Sequence, residues 1–263
     1  MSFIDDIPFP AYVKDIYDDC YIIKFFNEKW QRDYFLAGKL YMRTQTDFNK
    51  DEIGEGKSDF TEGADTIVIP LNEQTYPITR FVPDNDGNYY AITVDYTMKP
   101  DGYVPSLFIH FPTESQNRKL FCLYSLWLNK ETGILGEIDS RMINNFGEFC
   151  VLIKDFPSFL RRLEAAGYDN PTIKTMNCGF VEYTLESDER NVSKGNPYKK
   201  SDKLFGYQKE FRICAETDNA EVLELDLGRT LCDIAIPFNG KTFISTARYD
   251  DGKGLFFEDE REG

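Results

Sequence analysis

Gln208, Glu210 and Arg212 lie two residues apart in the stretch Tyr207-Gln208-Lys209-Glu210-Phe211-Arg212-Ile213-Cys214. In a strand, that spacing puts the three polar side chains on one face and Phe211 and Ile213 on the other. Gly206 permits a turn ahead of the strand, and the aromatic and β-branched residues suit a pleated, half-buried surface. A carboxylate at the head of such a strand, beside a Gln amide and facing a cleft, can accept a hydrogen bond from a ribose hydroxyl. It can also stabilise positive charge developing at an anomeric carbon. The competing reading is an ion pair between Glu210 and a Lys or Arg on a neighbouring strand.

Other residues offer complementary chemistry. Lys24 and Arg43 sit on early strand-like segments, and either one is suited to holding a phosphate. Tyr124 and Ser125 lie inside the apolar run Phe121 to Trp127. There Tyr124 offers a stacking surface for a flat ring, and a buried Ser125 must find a hydrogen-bond partner. Asp59, Glu62 and Asp65 recur every third residue, but the alternating carboxylates of a calcium loop are absent. The segment Gly54 to Gly63 therefore reads as a surface loop beside the site, with no role in the core and no metal. His110 is the only histidine. It reads as a core or rim residue, with no partner pattern for nucleophilic catalysis. No Walker loop, Rossmann glycine fingerprint or zinc-finger spacing occurs.

The elements that would position these residues follow from periodicity. Cys20 to Phe26 has a buried-strand pattern. Asn27 reads as a helix cap, with Trp30, Tyr34 and Phe35 as an apolar helical stripe, and Gly38 ends that helix. Lys39 to Arg43 resumes as a strand. Short strands are expected at Thr66–Ile69, Ile78–Val82, Tyr89–Tyr96 and Leu107–Phe111, and longer ones at Leu120–Leu128 and Phe149–Ile153. Asp155 and Pro157 open a helix that runs to Ala166, with Gly167 just past its end. Residues 168–183 resume as a strand, Leu185–Asp202 reads as a charged loop, and strands at Val222–Leu227, Asp233–Pro237 and Thr242–Ser245 follow. The expected organisation is an arm over 1–19, one domain over 20–257 and a charged tail over 258–263. The fold class is α+β: strand-rich, with a mostly antiparallel or split sheet and two or three helices.

Composition narrows the function. The chain of 263 residues carries a formal net charge of −15. A surface this acidic repels phosphates, which argues against broad nucleic-acid or membrane coating and still permits one small basic site. Cys20, Cys122, Cys150, Cys178, Cys214 and Cys232 are scattered singly, without a Cys-x-x-Cys pair, so six free thiols and no zinc are expected. The N-terminal residues lack the pattern of a signal peptide, and no run of about 20 apolar residues exists to span a membrane. A reducing, cytoplasmic setting is the expectation.

The order of a cation on an early strand, an aromatic and Ser on a middle strand, and Gln-x-Glu opening a late strand resembles the ADP-ribosyltransferase superfamily. That resemblance implies NAD as substrate, with Lys24 or Arg43 holding its diphosphate or ribose. It implies that Tyr124 and Ser125 shape the nicotinamide pocket, and that Gln208 and Glu210 act at the nicotinamide ribose. The chain departs from the family pattern in having no Ser-Thr-Ser run. Tyr207-Gln208-Lys209-Glu210-Phe211-Arg212, with Lys203 upstream, also resembles the signature of a widespread uncharacterised family of bacteria and phages. Asp47-Phe48-Asn49 and Cys122-Leu123-Tyr124-Ser125 fit the pattern of that family too. Some of its members are linked to abortive infection, which implies a setting of phage–bacterium conflict. Two functions follow as expectations. One is an NAD-using transferase with a small nucleotide ligand. The other is a non-catalytic acidic protein that binds, and inhibits or senses, a protein partner in phage defence or counter-defence.

Overall fold

In a computed structural model, Cys20–Phe26 forms β1, whose alternating inward residues bury Ile22 and Ile23 on opposite faces of a sheet. The structure describes residues 20–49, 62, 66–68, 80–83, 89–92, 108–110, 113–129, 131–132, 134–184, 196–241, 247–250 and 254–257. Helix α1 (Lys29–Leu36) and strand β2 (Lys39–Thr44) complete the expected opening unit. The cap of α1 is Glu28, one residue later than expected, and its backbone N–H donates to Gln31 Oε1 at 3.3 Å. On this helix Phe35 is the buried member, whereas Trp30 is 66% exposed. Gly38 turns the chain at φ +88°, where a Cβ would lie 2.1 Å from the Arg229 carbonyl oxygen, so only glycine fits.

Short strands β3 (Thr66–Val68), β4 (Arg80–Pro83), β5 (Tyr89–Ile92) and β6 (Phe108–His110) come next, as two antiparallel pairs, β3 with β6 and β4 with β5. Helix α2 (Thr113–Asn117) leads into the 12-residue strand β7 (Arg118–Asn129), and β8 (Ile134–Leu135) folds back on its end. Helix α3 (Ser140–Phe146) is capped by the Asp139 side chain. Strand β9 (Phe149–Ile153) and helix α4 (Phe156–Asp169) follow, with Asp155 accepting from the Ser158 backbone N–H as cap. Helix α4 continues beyond the expected stop, because Gly167 is buried within it. The remaining elements are β10 (Ile173–Phe180), β11 (Glu182–Thr184), β12 (Lys199–Ser201), α5 (Asp202–Phe205), β13 (Glu210–Thr217), β14 (Leu223–Asp226) and β15 (Ala235–Asn239), then the hairpin of β16 (Ala247–Asp250) and β17 (Gly254–Phe257). Part of the segment read as a charged loop is thus strand β12, which pairs in parallel with β11. The arm over 1–19, Asp59, Asp65, the expected strand at 242–245 and the tail over 258–263 lie outside the described residues.

Nine strands form the main sheet, in which β10, β13, β7, β1, β9 and β15 are successive neighbours. Its pairings are antiparallel, so the chain has the expected strand-rich α+β class. One face of the sheet carries α1 and α4. Phe35 packs there against Phe26, Phe121 and Phe159, with ring centroids 5.5–6.1 Å apart. The other face carries α3, where Met142 packs with Tyr124, Leu126 and Leu152. Among the described residues, no helix is long and apolar enough to cross a membrane. All six cysteines are free, and four of them (Cys20, Cys150, Cys178 and Cys214) are buried. Burial pushes these four thiols, and that of half-buried Cys122, up to about 12.

Candidate functional site

Gln208 does not belong to the strand. It ends a 3-10 turn over Gly206–Gln208, and Lys209 then takes a left-handed conformation (φ 40°, ψ 52°) before β13 begins at Glu210. That conformation disfavours a side-chain-bearing residue by roughly 1–2 kcal/mol. Ser125 secures it: its backbone N–H and its hydroxyl both donate to the Lys209 carbonyl, at 2.9 and 2.6 Å. This is the partner that buried Ser125 needed. The kink swings Gln208 back beside Glu210, and the two side chains meet at a shared cation.

That cation is Lys200, delivered by β12. Its Nζ donates to Gln208 Oε1 at 2.8 Å and to Glu210 Oε1 at 2.9 Å, and it sits 4.2 Å from the centre of the Phe205 ring. The second oxygen of Glu210 accepts from Arg212 Nε at 2.6 Å. Arg212 also grips Glu62 in a bidentate pair at 3.0 and 2.9 Å and donates to the Pro197 carbonyl. Glu62 accepts from Gln45 at 2.9 Å, and Gln45 in turn accepts from Arg118 at 3.0 Å. Among the described residues, two cations and two carboxylates are thus enclosed together. Glu210 is 8% exposed, Glu62 2% and Arg212 1%. Burial alone would raise the Glu210 pKa, but the charges and hydrogen bonds of Arg212 and Lys200 outweigh it. They hold the carboxyl well below the usual carboxylate range. Burial likewise works against the Arg212 charge, and Glu210 and Glu62 more than restore it.

Three expectations need correction. Glu210 does not face an open cleft, because both of its oxygens are taken by buried cations. Glu62 is not a surface loop residue: its carboxylate is 2% exposed and held in a bidentate pair by Arg212. The shared strand face also fails for Gln208, which reaches the cluster through the turn. The clustering of Gln208, Glu210 and Arg212 nonetheless holds.

The sheet sorts the remaining candidates. Glu210 and Arg212 lie directly opposite Tyr124 and Cys122 in the β13–β7 register, so Tyr124 shares their face. Its ring packs edge-on to Phe25, with centroids 5.7 Å apart, and its hydroxyl donates to the Glu137 carbonyl at 3.3 Å. Tyr124 is therefore a core side chain, closed to stacking on a ligand. Lys24 sits on the other face. Its Nζ donates to the Cys122 carbonyl at 2.7 Å and lies 4.6 Å from the centre of the Phe121 ring. Burial there lowers its pKa. Arg43 is exposed on β2 opposite Leu120, four residues along β7 from Tyr124, or roughly 13 Å at strand rise. The structure thus brings Tyr124, Ser125, Gln208 and Glu210 together, puts Lys24 on the opposite face within electrostatic reach of Glu210, and leaves Arg43 apart. No family model, curated protein or solved structure matches the chain. Lys200 is the cluster residue that the sequence reading missed, with only the faint signal of a Lys pair in a charged stretch. Glu62 was singled out for its spacing from Asp59 and Asp65, and nothing local tied it to Arg212, 150 residues away.

Proposed function

We propose that this chain is a non-catalytic, acidic binding protein that engages a protein partner in phage–bacterium conflict. One observation carries the reading: Lys200 and Arg212 occupy both oxygens of Glu210 inside the fold. A carboxylate that stabilises an oxocarbenium-like centre must be aimed at the reacting carbon, and this one is aimed at its own cations. The cluster instead holds Glu62, Pro197 and the turn at Gln208 against the sheet. The net charge of −15 favours a basic partner, with association that is fast at low salt and weakens as salt rises. The setting rests on the resemblance of Tyr207–Arg212 to the phage and bacterial signature.

The transferase remains a second reading, supported by the cross-strand pairing of Glu210 with Tyr124 and by the Lys200 link from Glu210 to Gln208. It requires the Lys200 and Arg212 pairs to open when NAD binds. Nicotinamide release from NAD separates the two. With the purified chain, release no faster than in protein-free buffer is expected, and cells expressing the chain should alter phage plating while keeping their NAD. Nicotinamide release above that blank, or NAD loss in those cells, would overturn the binding-protein reading.

A further inference from the structure

A second site stands on α4, independent of the Glu210 cluster and of the reading above. Ser158, Arg161, Arg162 and Ala165 line a surface groove of about 440 Å³ together with Gly228 and Arg229 from the turn after β14. A second hollow of about 300 Å³ continues it, sharing Arg161 and Ala165 and adding Glu164, Tyr168 and Asp169. Both volumes fall in the range of small-molecule sites. Ser158, Arg161, Ala165 and Tyr168 recur at helical spacing along one stripe, and the small Ala165 keeps the groove open midway.

The chemistry at the two ends differs. Arg161, Arg162 and Arg229 line the first end, on a chain that is otherwise strongly acidic. Arg162 is 6% exposed and is held by the Thr230 carbonyl (2.8 Å) and by Asp233. Its Nε is the one buried side-chain nitrogen or oxygen among the described residues without a hydrogen-bond partner. A buried donor in that state costs stability, and Arg162 serves here as a wall of the groove fixed by Asp233. Arg161 reaches back to the Ser158 hydroxyl at 2.7 Å, and that hydroxyl donates to Asp155 at 2.6 Å. Gly228 stands at φ +75° with open space where a Cβ would be. At the other end, Tyr168 is 69% exposed, a flat surface free to stack on a ring. Seven residues of helix separate Arg161 from Tyr168, about 10 Å along the axis. The neighbouring carboxylates Asp155 and Asp233 temper the positive charge, and Glu164 and Asp169 line the end beside Tyr168.

We propose that this groove binds a nucleoside phosphate, with its phosphate on Arg161 and Arg229 and its base on Tyr168. Arginine forks match phosphate geometry.

Calorimetric titration with AMP, ADP, adenosine and inorganic phosphate tests this. AMP and ADP should saturate the site, with adenosine and phosphate each weaker by at least about tenfold, the scale of a charged hydrogen bond. Arg161→Ala and Arg229→Ala, both at exposed positions, should each weaken AMP at least about tenfold and leave melting unchanged. Tyr168→Ala should weaken AMP and leave phosphate binding as it was. In the unaltered chain, AMP should shift the amide resonances of Ala165 and Gly228, a readout that needs no variant. The proposal is overturned by no saturable AMP binding at millimolar concentration, by phosphate binding as tightly as AMP, or by AMP binding that survives loss of both arginines.

Discussion

Glu210→Gln is expected to destabilise the chain by about 3–5 kcal/mol, the usual penalty for removing one partner of a buried ion pair. The substitution keeps the shape of the side chain and removes its charge. Lys200 and Arg212 both lose their pair with Glu210, while Arg212 keeps its pair with Glu62, so positive charge is left uncompensated inside the fold. For a chain of this size the expected fall in melting temperature is roughly 6–20 °C. Differential scanning calorimetry of the variant beside the parent reads it directly. Melting within a few degrees of the parent would mean that Glu210 is not held as described.

Arg212→Ala is expected to have the larger effect. Arg212 makes four hydrogen bonds, to Glu210, to both oxygens of Glu62 and to the Pro197 carbonyl. Its loss strips Glu210 and Glu62 of the guanidinium they share, opens a cavity and frees the Pro197 carbonyl. A loss at or above about 5 kcal/mol is expected. That approaches the whole stability of many domains, so the variant should be largely unfolded at 37 °C by far-ultraviolet circular dichroism. Combining Arg212→Ala with Glu62→Gln should cost less than the sum of the two single changes, because the second removes a charge that the first has stranded. A well-folded Arg212→Ala variant would show that the cluster contributes little.

Much of the frame was legible because local rules agree with the global fold there. Cys20–Phe26, Gly38 and Phe149–Ile153 announce themselves through apolar runs and glycine geometry, and the structure places elements on them. Asp155 and Pro157 mark the start of α4 correctly. Its end was misread because packing buries Gly167 and carries the helix to Asp169, overriding a weak local stop signal. In the site, the alternation that puts Glu210 and Arg212 on one face was readable, and so was the need of Ser125 for a partner. What sequence spacing does not report is which distant charge arrives. Glu62 and Lys200 come from segments whose local pattern is that of polar loops, and only the tertiary fold turns them inward. An isolated Gln-x-Glu pattern is equally compatible with a catalytic carboxylate and with a buried ion pair. The partner, supplied from elsewhere in the chain, decides between them.

Carboxylates of these two kinds also differ in how they hold a proton. A carboxyl held low contributes stability that is complete above its unfolded pKa, near 4.3, and is lost as pH falls toward the folded value. The carboxyl carbon resonance of Glu210, followed by NMR from neutral pH down to about pH 3, tests the enclosed ion pair most directly. The resonance should stay at its ionised position through the whole range in which ordinary carboxylates titrate. A midpoint at or above the ordinary value, about 4.3, would contradict the account, since it would place Glu210 in an environment without Lys200 and Arg212 as partners.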